Sequence, residues 1–240
     1  MPRRDVVVIG ASAGGVEALT TVVGRLPERL PAAVFVVLHV PSHGRSLLAR
    51  VLGRHANLAV AGACDGDPVT PGRISVAPTD HHLMLSDGRV RVVRGPRENG
   101  HRPAIDVLFR SAASSYGPRV VGVLLSGLLD DGTSGLAAIK QRGGLAVVQD
   151  PADAMFPDMP RSALRNVDLD HVLPLDAIGP ALERLVDEDG DAHADAAWQA
   201  RGGDALRPKG AIGPLPLDGR RVRGGRSAAV RPDGRPGRRG

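Results

Sequence analysis

The segment Val6-Val7-Val8-Ile9-Gly10-Ala11-Ser12-Ala13-Gly14-Gly15 constrains this chain more than any other. Four consecutive β-branched residues read as a strand buried on both faces, and they run straight into Gly-x-Ser-x-Gly and then a helical pattern. Strand, tight turn and helix in that order belong to an α/β protein and lift the Ser12 hydroxyl to the carboxyl end of a sheet. Two chemistries use such a turn. With a histidine and a carboxylate converging on it the serine is a nucleophile; without them the same glycines can cradle a phosphate at the helix N-terminus.

The alternation continues to about Val186. Val16, Leu19, Val22, Val23 and Leu26 fall at helical spacing before Pro27, residues 33–38 read as a second buried strand, and residues 46–53 as a short amphipathic helix. Residues 57–94 change character, with short strand candidates over 57–61, 73–77, 82–86 and 89–93. Asp87-Gly88 joins the last two as a two-residue hairpin, so this stretch is expected to be a small antiparallel extension of the sheet. The α/β rhythm then resumes. A helix over 103–115 carries proline in its first turn, a buried strand spans 119–125, a helix over 133–141 is stopped by Gly143-Gly144, a strand spans 145–148, and a helix over 176–186 closes the domain. The expected fold is a doubly wound, mainly parallel, Rossmann-like α/β sheet with helices on both faces, over residues 1–186.

Aromatic residues make up only 2% of the chain, so its core must be aliphatic and a base-stacking nucleic-acid platform is not expected. The net charge of +5 divides unevenly: residues 201–240 hold 11 Lys plus Arg against 3 acidic residues, a net +8, which leaves −3 for residues 1–200. The basic character therefore belongs to a Gly/Pro/Arg-rich tail, 187–240, which lacks apolar periodicity and is expected to be disordered. The single cysteine, Cys64, cannot form an internal disulfide. No zinc-like spacing occurs, and no apolar run is long enough for a signal-peptide core or a membrane span. No metal, no organic cofactor, no membrane insertion and a cytoplasmic location are the expectations. Asp80-His81-His82 resembles a metal cluster only superficially, since successive strand residues face opposite ways.

Ligands of open parallel sheets gather beyond the carboxyl ends of the strands. Three polar positions fall there: Ser12 after the first strand, His39 at the end of the second, and Asp130-Asp131 after the strand over 119–125. A serine hydroxyl needs a base to take its proton, and an imidazole oriented by a carboxylate is that base. The Ala13 backbone N–H, at the turn into the helix, is a natural oxyanion donor. The chain order Ser, His, Asp differs from the Ser, Asp, His order of α/β-hydrolases. Each residue also has a plainer reading: a nucleotide-binding turn for the glycines, a core histidine for His39, a helix N-cap for Asp130-Asp131.

Five ordered motifs carry a resemblance. Gly10-Ala-Ser12-Ala-Gly14-Gly15, His39-Val-Pro41, Asn99-Gly100-His101-Arg102-Pro103-Ala-Ile-Asp106-Val-Leu-Phe109, Ser126-Gly127-Leu-Leu-Asp130-Asp131-Gly132, and Gln149-Asp150-Pro151 with Met159-Pro160-Arg161 resemble the catalytic domain of chemotaxis-type protein-glutamate methylesterases, the CheB family. The resemblance implies Ser12 as nucleophile, His39 as base, Asp131 as orienting acid, and the Leu128 amide as second oxyanion donor. It further implies hydrolysis of glutamate γ-methyl esters, and of some glutamine amides, on a methylated chemoreceptor or similar signalling protein. Arg102, beside the expected cleft, would hold an acidic substrate segment or form a salt bridge. Familiar family members carry an N-terminal receiver domain, whereas five residues precede Val6 here, so phosphoryl control in cis is not expected and a regulator in trans is a candidate partner. The loop also carries Leu128-Leu129 where small residues or glycine are usual. A signalling adaptor with little turnover and a nucleotide-binding module are the alternative functions.

Overall fold

The computed structural model describes residues 3–40 and 47–187. Its elements run β1 (Val6–Ala11), α1 (Gly15–Gly24), β2 (Ala33–Leu38), α2 (Leu48–Leu52), β3 (Ala59–Gly62), β4 (Arg73–Val76), β5 (His82–Ser86), β6 (Arg89–Val93), α3 (Ile105–Tyr116), β7 (Val120–Leu124), α4 (Thr133–Gln141), β8 (Leu145–Gln149), α5 (Asp158–Asn166), β9 (His171–Leu173) and α6 (Leu175–Asp187). Seven strands form one parallel sheet in the order β3-β4-β2-β1-β7-β8-β9, and β5 and β6 form a separate antiparallel pair. The tail over 188–240 and the start of the 46–53 helix lie outside the described residues.

β1 shows why its sequence is aliphatic without interruption. Val7, Ile9 and Ala11 enter one core with Leu19, Val22 and Val23 of α1 and Ile178 and Leu182 of α6. Val6 and Val8 enter the opposite core with Leu108 and Phe109 of α3, Leu136 of α4 and Met159 of α5. A strand covered on both faces has no solvent side on which polar alternation could survive.

The stretch over 57–94 differs from the expectation in one half. β5 and β6 are the antiparallel pair, joined through Asp87 and Gly88 at φ 52° and 75°, the positive pair that a tight hairpin turn requires. β3 and β4 instead extend the parallel sheet beside β2. Residues 63–72 return from β3 to β4 without a helix, so the rhythm that announces parallel pairing is missing there. Two elements went unrecognised in the sequence, α5 and β9. Pro160 sits in the first turn of α5, where a missing N–H leaves no helical bond unmade.

In α6, Pro180 removes the N–H that would bond the Asp176 carbonyl four residues back. Arg25, directly after α1, supplies the replacement, with Nη1 3.3 Å from that carbonyl and Nη2 2.8 Å from the Asp176 carboxylate.

Because β1 is buried on both faces at the sheet centre, Ile9→Ala should lower unfolding free energy by about 2–5 kcal/mol. Urea unfolding followed by far-UV circular dichroism measures this.

Candidate active site

The site follows from strand register. β1 pairs with β2 on one side (Ala11 opposite Leu38) and with β7 on the other (Gly10 opposite Leu124). The ladder continues past the strands: His39 N–H donates to Ala11 O at 3.1 Å, Leu125 N–H to Gly10 O at 2.9 Å, and Ser12 N–H to Ser126 O at 3.0 Å. The connection after β1 runs toward β2 and the one after β7 runs the other way toward β8, so a crevice opens between the carboxyl ends of β1 and β7. Ser12, His39 and the loop after β7 meet there.

Ser12 Oγ lies 3.2 Å from His39 Nδ1, and His39 Nε2 lies 2.7 Å from Asp131 Oδ2. These contacts fix the tautomer. An ionised carboxylate can only accept, so Nε2 carries the ring proton and Nδ1 presents its lone pair to the serine hydroxyl.

Asp131 is buried, 2% exposed, and burial by itself raises a carboxyl pKa. Here it is outweighed: the His39 contact, the Ile105 N–H and the Asn99 amide hold Asp131 at about 2. Oδ2 also accepts from Ile105 N–H at 2.7 Å, and Oδ1 from Asn99 Nδ2 at 2.9 Å and Asp106 N–H at 3.2 Å. Ile105 and Asp106 open α3, so Asp131 caps that helix. The plainer cap reading of Asp131 assumed α4, but α4 takes its side-chain acceptor from Asp106. Asp106 Oδ1 receives Gly132 N–H at 3.0 Å and Gly135 N–H at 2.7 Å. Each aspartate thus caps the helix next to the other. Burial and the charge of Asp131 raise the Asp106 pKa.

The amides of Ala13 and Leu128 make no hydrogen bond to another described residue. Their directions follow from their peptide planes, since C=O and N–H of a trans peptide point oppositely. The Ser12 carbonyl is held by Gly15 N–H at 2.9 Å, which turns the Ala13 N–H outward; the Gly127 carbonyl is held by Met159 N–H at 3.0 Å, which turns the Leu128 N–H away from α5. Gly127 packs directly on Ser12, because a Cβ there would sit 2.8 Å from Ser12 Cβ and 2.1 Å from Met159 Sδ. Gly14 adopts φ 68°, the left-handed conformation that ends the serine turn. Ser126 joins these pieces: its Oγ donates to Ala13 O at 2.9 Å and accepts from Phe156 N–H at 2.9 Å.

Leu129 stands at φ 65° with 68% of its surface exposed. The loop therefore keeps a glycine-like conformation in spite of the leucine, at about 1–2 kcal/mol.

Arg102 is largely buried, and its guanidinium meets Asp80 Oδ1 through Nε at 3.0 Å and Nη2 at 2.5 Å, and Gly95 O through Nη1 at 2.6 Å. These partners favour the salt-bridge alternative and give its side chain an anchoring position. His82 is buried rather than on the surface: its Nδ1 accepts from Ala104 N–H, so Nε2 donates to Pro96 O at 2.8 Å. Pro103 precedes α3 rather than lying in its first turn, because Ala104 is extended and Asp131 sets the helix start at Ile105. Among the described residues no group of three His, Cys, Asp or Glu is arranged to hold a metal.

Sequence reasoning gave no role to Asn99, Asp106 or His101. The His101 ring stacks on His39 at 3.6 Å between centroids, 7° from parallel. Burial and the neighbouring His39 lower its pKa. All three lie in the motif over 99–109, but nothing in its spacing shows that the 98–101 turn brings His101 onto the ring of His39.

Fold and geometry together define a class, an α/β protein with a serine–histidine–aspartate constellation at its topological switch point. The chain belongs to the CheB methylesterase family, whose model matches residues 7–182. A protein-glutamate methylesterase/protein-glutamine glutaminase of Anaeromyxobacter dehalogenans is 46% identical over 77% of this chain and 54% of its own length. A putative enzyme of the same description from Leptospira interrogans is 37% identical over 75% of this chain and 94% of its own. The crystal structure of the Thermotoga maritima CheB methylesterase catalytic domain superposes with a TM-score of 0.72 at 34% identity, covering 76% of this chain and 98% of that one. The chain spans about half the length of the first curated relatives it matches.

The Asp131 pKa is depressed by folding, so its contribution to stability is present above the unfolded value of about 3.9 and is lost as pH falls through about 2. Wild type should exceed Asp131→Asn by on the order of 2 kcal/mol near neutrality, the gap closing between about pH 4 and pH 2. Asp106, whose raised pKa acts in the opposite sense, is present in both proteins, but the part of its rise that the Asp131 charge causes is missing from the variant, which narrows the gap. Urea titrations of the pair across that range read the gap.

Proposed function

We propose that the chain is a serine esterase that hydrolyses γ-methyl esters of glutamate on a methylated chemoreceptor or similar signalling protein, with glutamine deamidation as its second reaction. The observation that carries this reading is the continuous contact from Ser12 Oγ through His39 to Asp131, at 3.2 and 2.7 Å. Family membership and the printed names of the relatives supply the substrate class.

The chemistry follows from the contacts. His39 Nδ1 takes the Ser12 proton as Oγ attacks the ester carbonyl, while Asp131 stabilises the imidazolium through Nε2–H. The oxyanion develops toward the Ala13 and Leu128 amides, whose carbonyl ends are already held elsewhere and need no reorganisation. Collapse transfers the Nδ1 proton to the leaving methoxide, releasing methanol and leaving the glutamyl side chain esterified to Ser12. Water, deprotonated by Nδ1, then attacks the acyl-enzyme. The second collapse frees the glutamate carboxylate and returns the proton to Ser12 Oγ. With glutamine the leaving group is ammonia. Every step is acid–base or nucleophilic chemistry of these side chains.

Ser12→Ala should reduce methanol release from a methylated receptor preparation by about 10⁶-fold, and Asp131→Asn by roughly 10⁴-fold. A fluorophosphonate probe should label Ser12 in wild type and fail in a His39→Ala variant. Absence of labelling together with absent methanol release would return the chain to the adaptor reading.

A further inference from the structure

The two buried carboxylates, Asp106 and Asp131, share two donors: the Gly132 N–H, 3.0 Å from Asp106 Oδ1 and 3.1 Å from Asp131 Oδ1, and the side-chain amide of Asn99. Asn99 Nδ2 lies 2.9 Å from Asp131 Oδ1 and 3.1 Å from Asp106 Oδ2, one amide hydrogen for each. Asp106 is 4% exposed, and its other oxygen is committed to the start of α4. Among the described residues only Asn99 is within hydrogen-bond reach of its Oδ2; Arg110 Nη1 stands at 3.9 Å, and Nη2 of the same guanidinium is engaged by Glu98. Two carboxylates this close repel strongly at low dielectric. An amide NH₂ is a neutral group with two hydrogens on one nitrogen, which suits it to sit between them.

The backbone of Asn99 is matched to this position. It stands at φ 51°, a left-handed conformation that asparagine tolerates better than other non-glycine residues. Its turn is closed by reciprocal bonds, Glu98 N–H to His101 O at 3.0 Å and His101 N–H to Glu98 O at 2.8 Å. The same short turn therefore places Asn99 on the Asp131 carboxylate and His101 on the face of His39.

We propose that Asn99 is a positioning residue for the esterase reaction, holding Asp131 against His39 Nε2 by separating it from Asp106. The inference rests on the function proposed above. The charged and titratable groups around this point are Asp131 and Asp106, His39, His101 stacked on it, Arg97 acting on His101, and the Arg110–Glu98 pair. Removing the amide leaves the Gly132 N–H as the one donor shared by the two carboxylates, so Asp131 is aimed less firmly and more uncompensated negative charge faces the imidazole.

The test is a double-mutant cycle with Asp106→Asn. In Asn99→Ala, kcat should fall roughly 10- to 100-fold with KM little changed, as expected for a misplaced general base. The acid limb of the kcat/KM profile should move to higher pH. In the wild-type background Asp106→Asn sets one NH₂ group against another and should also lower kcat. In the Asn99→Ala background the same change supplies the missing donor and removes a charge, so the double variant should regain about tenfold over Asn99→Ala. A group needed only for stability would show additive losses and an unmoved pH profile.

If Asn99→Ala does not fold, the double variant compared with Asp106→Asn alone decides the same point, since deleting the amide should then raise activity. NMR titration of the His39 ring protons supplies a readout that needs no turnover, and the midpoint should rise in Asn99→Ala. Wild-type kcat and pH profile in Asn99→Ala, an unmoved midpoint, or a double variant no better than both single variants would overturn the proposal. A wild type that turns over no ester would overturn the proposed function, while the ring titration would still judge Asn99.

Discussion

The Asp131 carboxylate holds three distant stretches of chain at one point. It takes the ring proton of His39 from the end of β2, the first amides of α3, and the Asn99 side chain from the turn before that helix. Water would solvate this carboxylate freely in an unfolded chain; inside the crevice, protein donors must replace it. Burial pulls the group toward its neutral form, and the donors prevail, leaving a pKa of about 2. The same bonds that keep it ionised therefore also aim it at His39, and the direction of the carboxylate and helix capping become one requirement.

That requirement can be met because the sheet beneath is rigid where it matters. β1, β2 and β7 are buried along their whole lengths and their carboxyl ends are in register. Side chains at the last residues of such strands inherit positions fixed by backbone hydrogen bonds and by aliphatic packing on both faces. The loops above add the remaining contacts through small residues and backbone groups, as at Gly127 against Ser12 and Ser126 against the Phe156 amide.

Much of this was legible in the sequence because α/β architecture has strong local signatures. Aliphatic runs ending in Ser12, His39 and the Ser126–Gly132 loop identified both the strands and the crevice side of the sheet. Directions were harder where a helix is missing between parallel strands, as between β3 and β4. Contacts made by folding back were invisible: Asn99, Asp106 and His101 stood in a quoted motif, yet only the hairpin geometry shows what they touch. Arg102 shows the opposite failure, a charged residue near the cleft whose guanidinium is taken up by Asp80 and Gly95. The tail, the most distinctive feature of composition, falls outside the described residues.

One feature of the imidazole follows from strand order alone. β1 and β2 are immediate neighbours, while the loop bearing Asp131 rises from β7 on the far side of β1. His39 must touch a serine one strand away with its nearer nitrogen, Nδ1, and extend its outer nitrogen, Nε2, across β1 to the carboxylate. The chymotrypsin-type serine-protease triad uses the nitrogens the other way round. Here ring direction and strand order agree: the nitrogen nearer the β2 backbone faces the serine on β1, and the outer one reaches the carboxylate borne by the loop after β7.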